Sequence, residues 1–146
     1  MNRYQGKLPQ QSVREDLTQI IRAQRSALWQ RPLADHSVAA FASVRHSVES
    51  SARPLIIDSC CGTGDSTRRL AEIFPDALVV GIDKSAHRLA RHSGSSATNY
   101  LMVRADVNDF WRLACDAGWR PAKHYLLYPN PYPKASQFRK RWYGSP

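Results

Sequence analysis

Apolar positions are spaced three and four apart in the first third of the chain and gather into short runs after residue 54. Val13, Leu17, Ile20, Ile21 and Leu28 follow helical spacing with basic residues between them, which predicts a helix from Val13. A second helix is predicted from about Ala34 to Ser50, with Val38, Phe41, Val44 and Val48 towards the core. Ser50 to Pro54 reads as a linker. Strand-like runs and helical stretches then alternate. Leu55-Ile56-Ile57, Leu78 to Ile82, Tyr100 to Val103 and His124 to Tyr128 are the predicted strands. Ser66–Phe74, Ala86–His92 and Val107–Ala117 are the predicted helices, with Asp106 placed to cap the last and Asp109 in its first turn. Such alternation implies crossovers and a mainly parallel α/β sheet, which binds ligands at the carboxyl ends of its strands.

The pattern divides the chain into a polar, aperiodic lead (1–12), a helical segment (13–52) and an α/β stretch (53–146), without repeats or low-complexity tracts. Its 146 residues suit one domain with a real core, and its apolar content of 42% is near the globular average. The net charge of +9 is not average. It fits a nucleic-acid partner, an acidic membrane surface or simply a solvated arginine-rich face. No stretch approaches the roughly 18 unbroken apolar residues of a membrane span, and no apolar segment of a signal peptide follows Met1. Three cysteines, Cys60, Cys61 and Cys115, make neither a disulfide framework nor a zinc pattern, so no metal site is expected and a reducing cytoplasm fits. The sequence is silent on oligomeric state.

The chemistry concentrates at strand ends. Asp58-Ser59-Cys60-Cys61-Gly62-Thr63-Gly64 follows the first strand directly and opens a helix. Gly62 and Gly64 permit a tight turn and close approach of a ligand, and the helix start adds free N–H groups. A tight strand-to-helix turn alone would account for the glycines equally well. Asp83 ends the second strand about twenty residues on, where nucleoside-binding sheets place a ribose acceptor. Asp106 ends the third strand, where it can reach an adenine amino group or merely cap a helix.

Asp58 to Gly64, Gly81-Ile82-Asp83 and Arg104-Ala105-Asp106 resemble the first three motifs of class I S-adenosylmethionine (SAM)-dependent methyltransferases. The resemblance implies a Rossmann-like sheet and SAM as cofactor. Asp58, Gly62 and Gly64 would lie by its amino-acid end, Asp83 by its ribose and Asp106 by its adenine. Cys60 stands where the family usually has its first glycine, and the turn tolerates it if its backbone angles are ordinary. The adjacent cysteines read as packed small residues rather than redox centres. The turn lacks the G-x-G-x-x-G register of a dinucleotide fold.

After the fourth strand comes Tyr128-Pro129-Asn130-Pro131-Tyr132-Pro133-Lys134, a loop stiffened by three prolines, and then the basic cluster Arg139-Lys140-Arg141-Trp142. Asn130 offers an amide to a planar nucleophile and Tyr132 a flat face to a base. A rigid surface loop and a solvated basic face are the plain alternatives. The segment resembles the Pro-Asp-Pro-Trp-x-Lys loop and Lys/Arg-rich continuation of the tRNA guanine-N7 methyltransferase family, with Asn130 and Tyr132 in place of its aspartate and tryptophan. The resemblance covers about residues 54 to 146. It implies Asn130 as the catalytic position, substrate contacts at Tyr132, Lys134, Arg139, Lys140 and Arg141, and tRNA as partner, without membrane or metal. The Asn-Pro-Tyr string is also similar to the Asn-Pro-Pro-Tyr loop of amino-group methyltransferases, so an exocyclic amine is the rival acceptor. The chain stops after four predicted strands where the family's sheet has seven, so a C-terminally truncated form is expected, and a non-catalytic RNA-binding remnant is a third reading.

Overall fold

In the computed structural model, the described residues are 17–27, 31–127, 129, 130, 132, 134, 136 and 137. They fall into two compact units, Pro32–Pro129 and the combination of 1–31 with 130–146. The second unit holds helix α1 (Leu17–Ser26) and, around Lys134 and Gln137, a short turn closed by reciprocal hydrogen bonds. The expected start of the first helix at Val13, and Leu28 of its apolar set, lie outside the described residues.

In the first unit, strands β1 (Leu55–Ser59), β2 (Leu78–Asp83), β3 (Tyr100–Arg104) and β4 (Lys123–Tyr125) form one parallel sheet in the order β3-β2-β1-β4. Helices α3 (Asp65–Ile73), α4 (Ala86–Leu89) and α5 (Val107–Asp116) are the crossovers, and α2 (Asp35–Glu49) precedes them. This is the expected mainly parallel, Rossmann-like α/β sheet. β1 and β2 are buried along their whole length, which is why both read as unbroken apolar runs.

Side chains alternate across the sheet. On one face Ile56 and Val79 pack with Leu70 and Ala71 of α3, and Asn99 donates to the carbonyls of Ala71, Phe74 and Ala77 around that helix's C-terminus. On the other side Phe41 of α2 meets Phe110 of α5 and Trp119 at ring-centre distances of 5.3 and 4.7 Å. α2 turns the expected face to the core at Phe41, Val44 and the half-buried Val48, with Val38 the exception. Ser37, Phe41 and Val44 are buried while Val38 is 42% exposed. Ser37 Oγ accepts the Asp106 N–H at 3.1 Å, a polar contact at the buried place next to Val38. The Asp109 carboxylate, expected only to favour the start of α5, is buried and accepts the Ala34 N–H.

β4 is shorter than the expected His124–Tyr128. Among the described residues β1 is its sole neighbour, and their register ends at Asp58↔Tyr125. β1 then turns away at Cys60, leaving Leu126 and Leu127 without a ladder, and Leu127 is 46% exposed.

Candidate functional site

The turn between β1 and α3 is fixed residue by residue. Cys61 N–H donates to the Ile82 carbonyl at 3.1 Å, Gly62 N–H to Asp83 Oδ2 at 3.0 Å, and Gly64 N–H back to the Cys61 carbonyl at 2.9 Å. The first two bonds lash the turn to the end of β2. Cys60 has φ +62°, so the condition for tolerating it is not met: its backbone is left-handed, the region that favours glycine.

The glycines here do different work. A Cβ on Gly62 would meet nothing nearer than Arg88 Cδ at 4.0 Å, so its vacated space is open to a ligand. A Cβ on Gly64 would lie 2.5 Å from Met102 Cε and 2.8 Å from His92 Nδ1, so that space is filled by protein. Gly81, in β2, admits the Thr67 side chain of α3, which a Cβ would strike. Of the two turn glycines expected to admit a ligand, Gly62 alone has room for one, and Gly64 serves packing.

Asp83 is 3% exposed, and its Oδ1 accepts the Ser85 N–H at 2.8 Å while Oδ2 takes Gly62 N–H and lies 3.7 Å from Arg88 Nη1. A carboxylate oxygen has two lone pairs, so Oδ1 keeps acceptor capacity for a hydroxyl. Asp58 is 1% exposed, and both Ser66 and Thr67 hydroxyls donate to its Oδ2, at 2.6 and 2.7 Å. Burial pushes its carboxyl above the usual range, against those two hydrogen bonds and the nearby His124. In this arrangement Asp58 anchors the first turn of α3. Asp106 caps α5 as expected, accepting the Asn108 N–H at 3.0 Å.

Burial drives the Cys60 thiol up to about 11, reinforced by Asp83, and the Cys61 thiol up to about 12, reinforced by Asp58. Both stay protonated near neutrality and are poor nucleophiles, in line with packed small residues. Among the described residues no group of three His, Cys, Asp or Glu could hold a metal ion, and no helix is long and apolar enough to cross a membrane.

Two histidine contacts were not readable from spacing. His92 bridges the Thr63 carbonyl and the Tyr100 hydroxyl at 2.9 and 2.8 Å. On the other side of β1, Ser59 Oγ lies 2.9 Å from both His124 Nε2 and Trp111 Nε1, the two rings standing edge to face at 5.0 Å. Asn130, Tyr132 and Lys134 belong to the second unit; Asn130 and Lys134 are exposed, and Tyr132 has φ +42°. Arg139, Lys140 and Arg141 lie outside the described residues.

Residues 56–119, from β1 to just past α5, match the methyltransferase domain family. That stretch is similar to a methyltransferase domain. The chain is 34% identical over 93 residues to a tRNA (guanine-N(7)-)-methyltransferase of Rubrobacter xylanophilus, covering 61% of this chain and 40% of that protein. It is 37% identical over 54 residues to a trans-aconitate 2-methyltransferase of Deinococcus radiodurans, covering 37% and 21%. The chain therefore spans two fifths or less of the length of these curated relatives. The solved antibiotic-resistance methyltransferase Kmr aligns with 56% of this chain and 40% of its own at 23% identity, with a TM-score of 0.38. SAM is the cofactor of the methyltransferase domain, and the residues present fit it. The space above Gly62 is open, and Asp83 beside it retains an acceptor.

Proposed function

We propose that this chain binds SAM through Asp58, Gly62, Gly64, Asp83 and Asp106 and methylates N7 of a guanine in tRNA, in the cytoplasm. The observation that carries the substrate is the 93-residue similarity to a tRNA (guanine-N(7)-)-methyltransferase, joined to the Pro-Asn-Pro-Tyr-Pro-Lys loop after β4. Within this reading Asp83 accepts ribose hydroxyls, Gly62 gives the backbone room beside the cofactor, and Asp58 and Gly64 act by shaping the turn. Asp106 faces the adenine.

Guanine N7 presents its lone pair in the ring plane and needs no general base. Bound SAM supplies an electrophilic methyl group. What the chain supplies is alignment, worth on the order of several kcal/mol of barrier. In this proposal Tyr132 stacks on the base, Lys134, Arg139, Lys140 and Arg141 take phosphates, and the Asn130 amide oxygen faces the positive charge that develops on guanine. A neutral amide stabilises that charge less than a carboxylate, so Asn130→Asp is expected to speed transfer.

The test is to incubate the purified chain with tRNA and methyl-labelled SAM and to digest the RNA. Label recovered as 7-methylguanine supports the proposal. Label on an exocyclic amine moves the chain to another acceptor class. Salt-dependent tRNA binding without label would make it an RNA-binding remnant. The similarity to a trans-aconitate 2-methyltransferase gives a further arm, in which a small polycarboxylic acid replaces tRNA.

A further inference from the structure

Thr63 lies between two glycines, Gly62 and Gly64, whose φ angles are +62° and +86°. Glycine loses more backbone freedom on ordering than any other residue, so this is the turn's most expendable geometry unless something outside it holds it. The bonds from Cys61 and Gly62 reach β2 on one side. At Thr63 the holding group is His92, which follows α4 and is 29 residues away in sequence. A carbonyl only accepts, so His92 Nδ1 carries the proton in this contact. In the neutral ring Nε2 is then an acceptor, and the Tyr100 hydroxyl of β3 donates to it at 2.8 Å. The ring stands edge to face with Tyr100 at 5.5 Å, and it lies against Gly64 where a side chain would otherwise be. One imidazole thus joins the glycine turn to β3, and the missing side chain at Gly64 is what lets it in.

We propose that His92 is a positioning residue of the cofactor turn: its Nδ1–H holds the Thr63 carbonyl, the Tyr100 hydroxyl donates to Nε2 and steadies the ring in that tautomer, and the turn is thereby kept ordered before SAM arrives. A turn ordered in advance does not spend binding free energy on being ordered. The link to cofactor binding rests on the methyltransferase reading above; the clamp does not.

Two variants separate the donor from the bulk. His92→Asn places an amide N–H near the position of Nδ1, whereas His92→Leu fills space and donates nothing. Without cofactor, amide hydrogen exchange at Gly62 and Gly64 is expected to speed up about tenfold in His92→Leu, the loss of roughly one hydrogen bond, and to stay near wild type in His92→Asn. Amides of β1 and β2 serve as the internal reference for an intact fold. With cofactor, calorimetric titration is expected to give a SAM Kd about tenfold weaker in His92→Leu, largely restored in His92→Asn. Tyr100→Phe should give a smaller loss of the same kind. Unchanged glycine exchange in His92→Leu, or equal acceleration in both His92 variants, overturns the clamp. A wild-type chain that takes up no SAM while its glycine exchange follows the expected order overturns the cofactor reading and leaves the clamp supported.

Discussion

The interior strands β1 and β2 and the edge strand β4 carry their C-terminal residues in different ways. At the ends of β1 and β2, Asp58 and Asp83 are nearly sealed from solvent, and each accepts two hydrogen bonds from neighbouring elements. At β4 the ladder stops after three residues, His124 is exposed, and its polar partner Ser59 belongs to β1. A site residue placed at an interior strand end inherits rigidity from both sides. One placed at the edge must get it from the loop that follows, here a proline-rich one.

If that contrast is right, substitutions at the interior ends should cost far more than those at the edge. The largest effect is expected at Gly81→Ala, whose new methyl group runs into Thr67 and pushes α3 off the sheet, costing about 3 kcal/mol in urea unfolding. Next is Asp58→Ala, which strands the Ser66 and Thr67 hydroxyls and should cost about 2 kcal/mol. Asp58→Asn should stay within about 1 kcal/mol of wild type, because one amide oxygen can take the place of Oδ2 for both donors. The same pair has a pH signature. The Asp58 carboxyl is held above its ordinary 3.8, so the stability linked to its proton is fully present below that value and is lost as pH rises through the raised one. Wild type should therefore gain on Asp58→Asn in acid, and a constant gap would refute the assignment.

Cys60→Gly comes third and has the opposite sign, relieving a left-handed cysteine and raising stability by about 1 kcal/mol. A loss on that substitution would mean that the cysteine's packing outweighs its backbone strain. The smallest effect is expected from His124→Ala at the edge, no more than about 0.5 kcal/mol, since Ser59 keeps its bond from Trp111. A cost there equal to that of Asp58→Ala would erase the distinction between edge and interior.

The same distinction governs what the sequence made legible. β1 and β2 announced themselves because burial on both faces leaves short apolar runs, and Asp106 announced α5 because a capping side chain acts on its own next residues. The length of β4 did not, since it is set by where β1 turns away, which no residue of β4 encodes. In α2 the inward places of Phe41 and Val44 were legible and that of Val38 was not, because Ser37, held by Asp106, is buried there instead. The glycine turn was legible as a turn, but not the division of labour within it. Whether a missing side chain makes room for a ligand or for His92 depends on residues far along the chain, and a hydrogen bond between positions 63 and 92 leaves no period to detect.

The Trp111 indole, hydrogen-bonded to Ser59 and nearly perpendicular to the His124 ring 5.0 Å away, gives the molecule an optical gauge beside its strand ends. A protonated imidazole draws excited-state electron density from indole, so emission from Trp111 should dim as His124 takes up a proton. Desolvation holds that histidine below its ordinary 6.5, against the pull of Asp58, so the dimming should set in on the acid side of that value and vanish in His124→Ala.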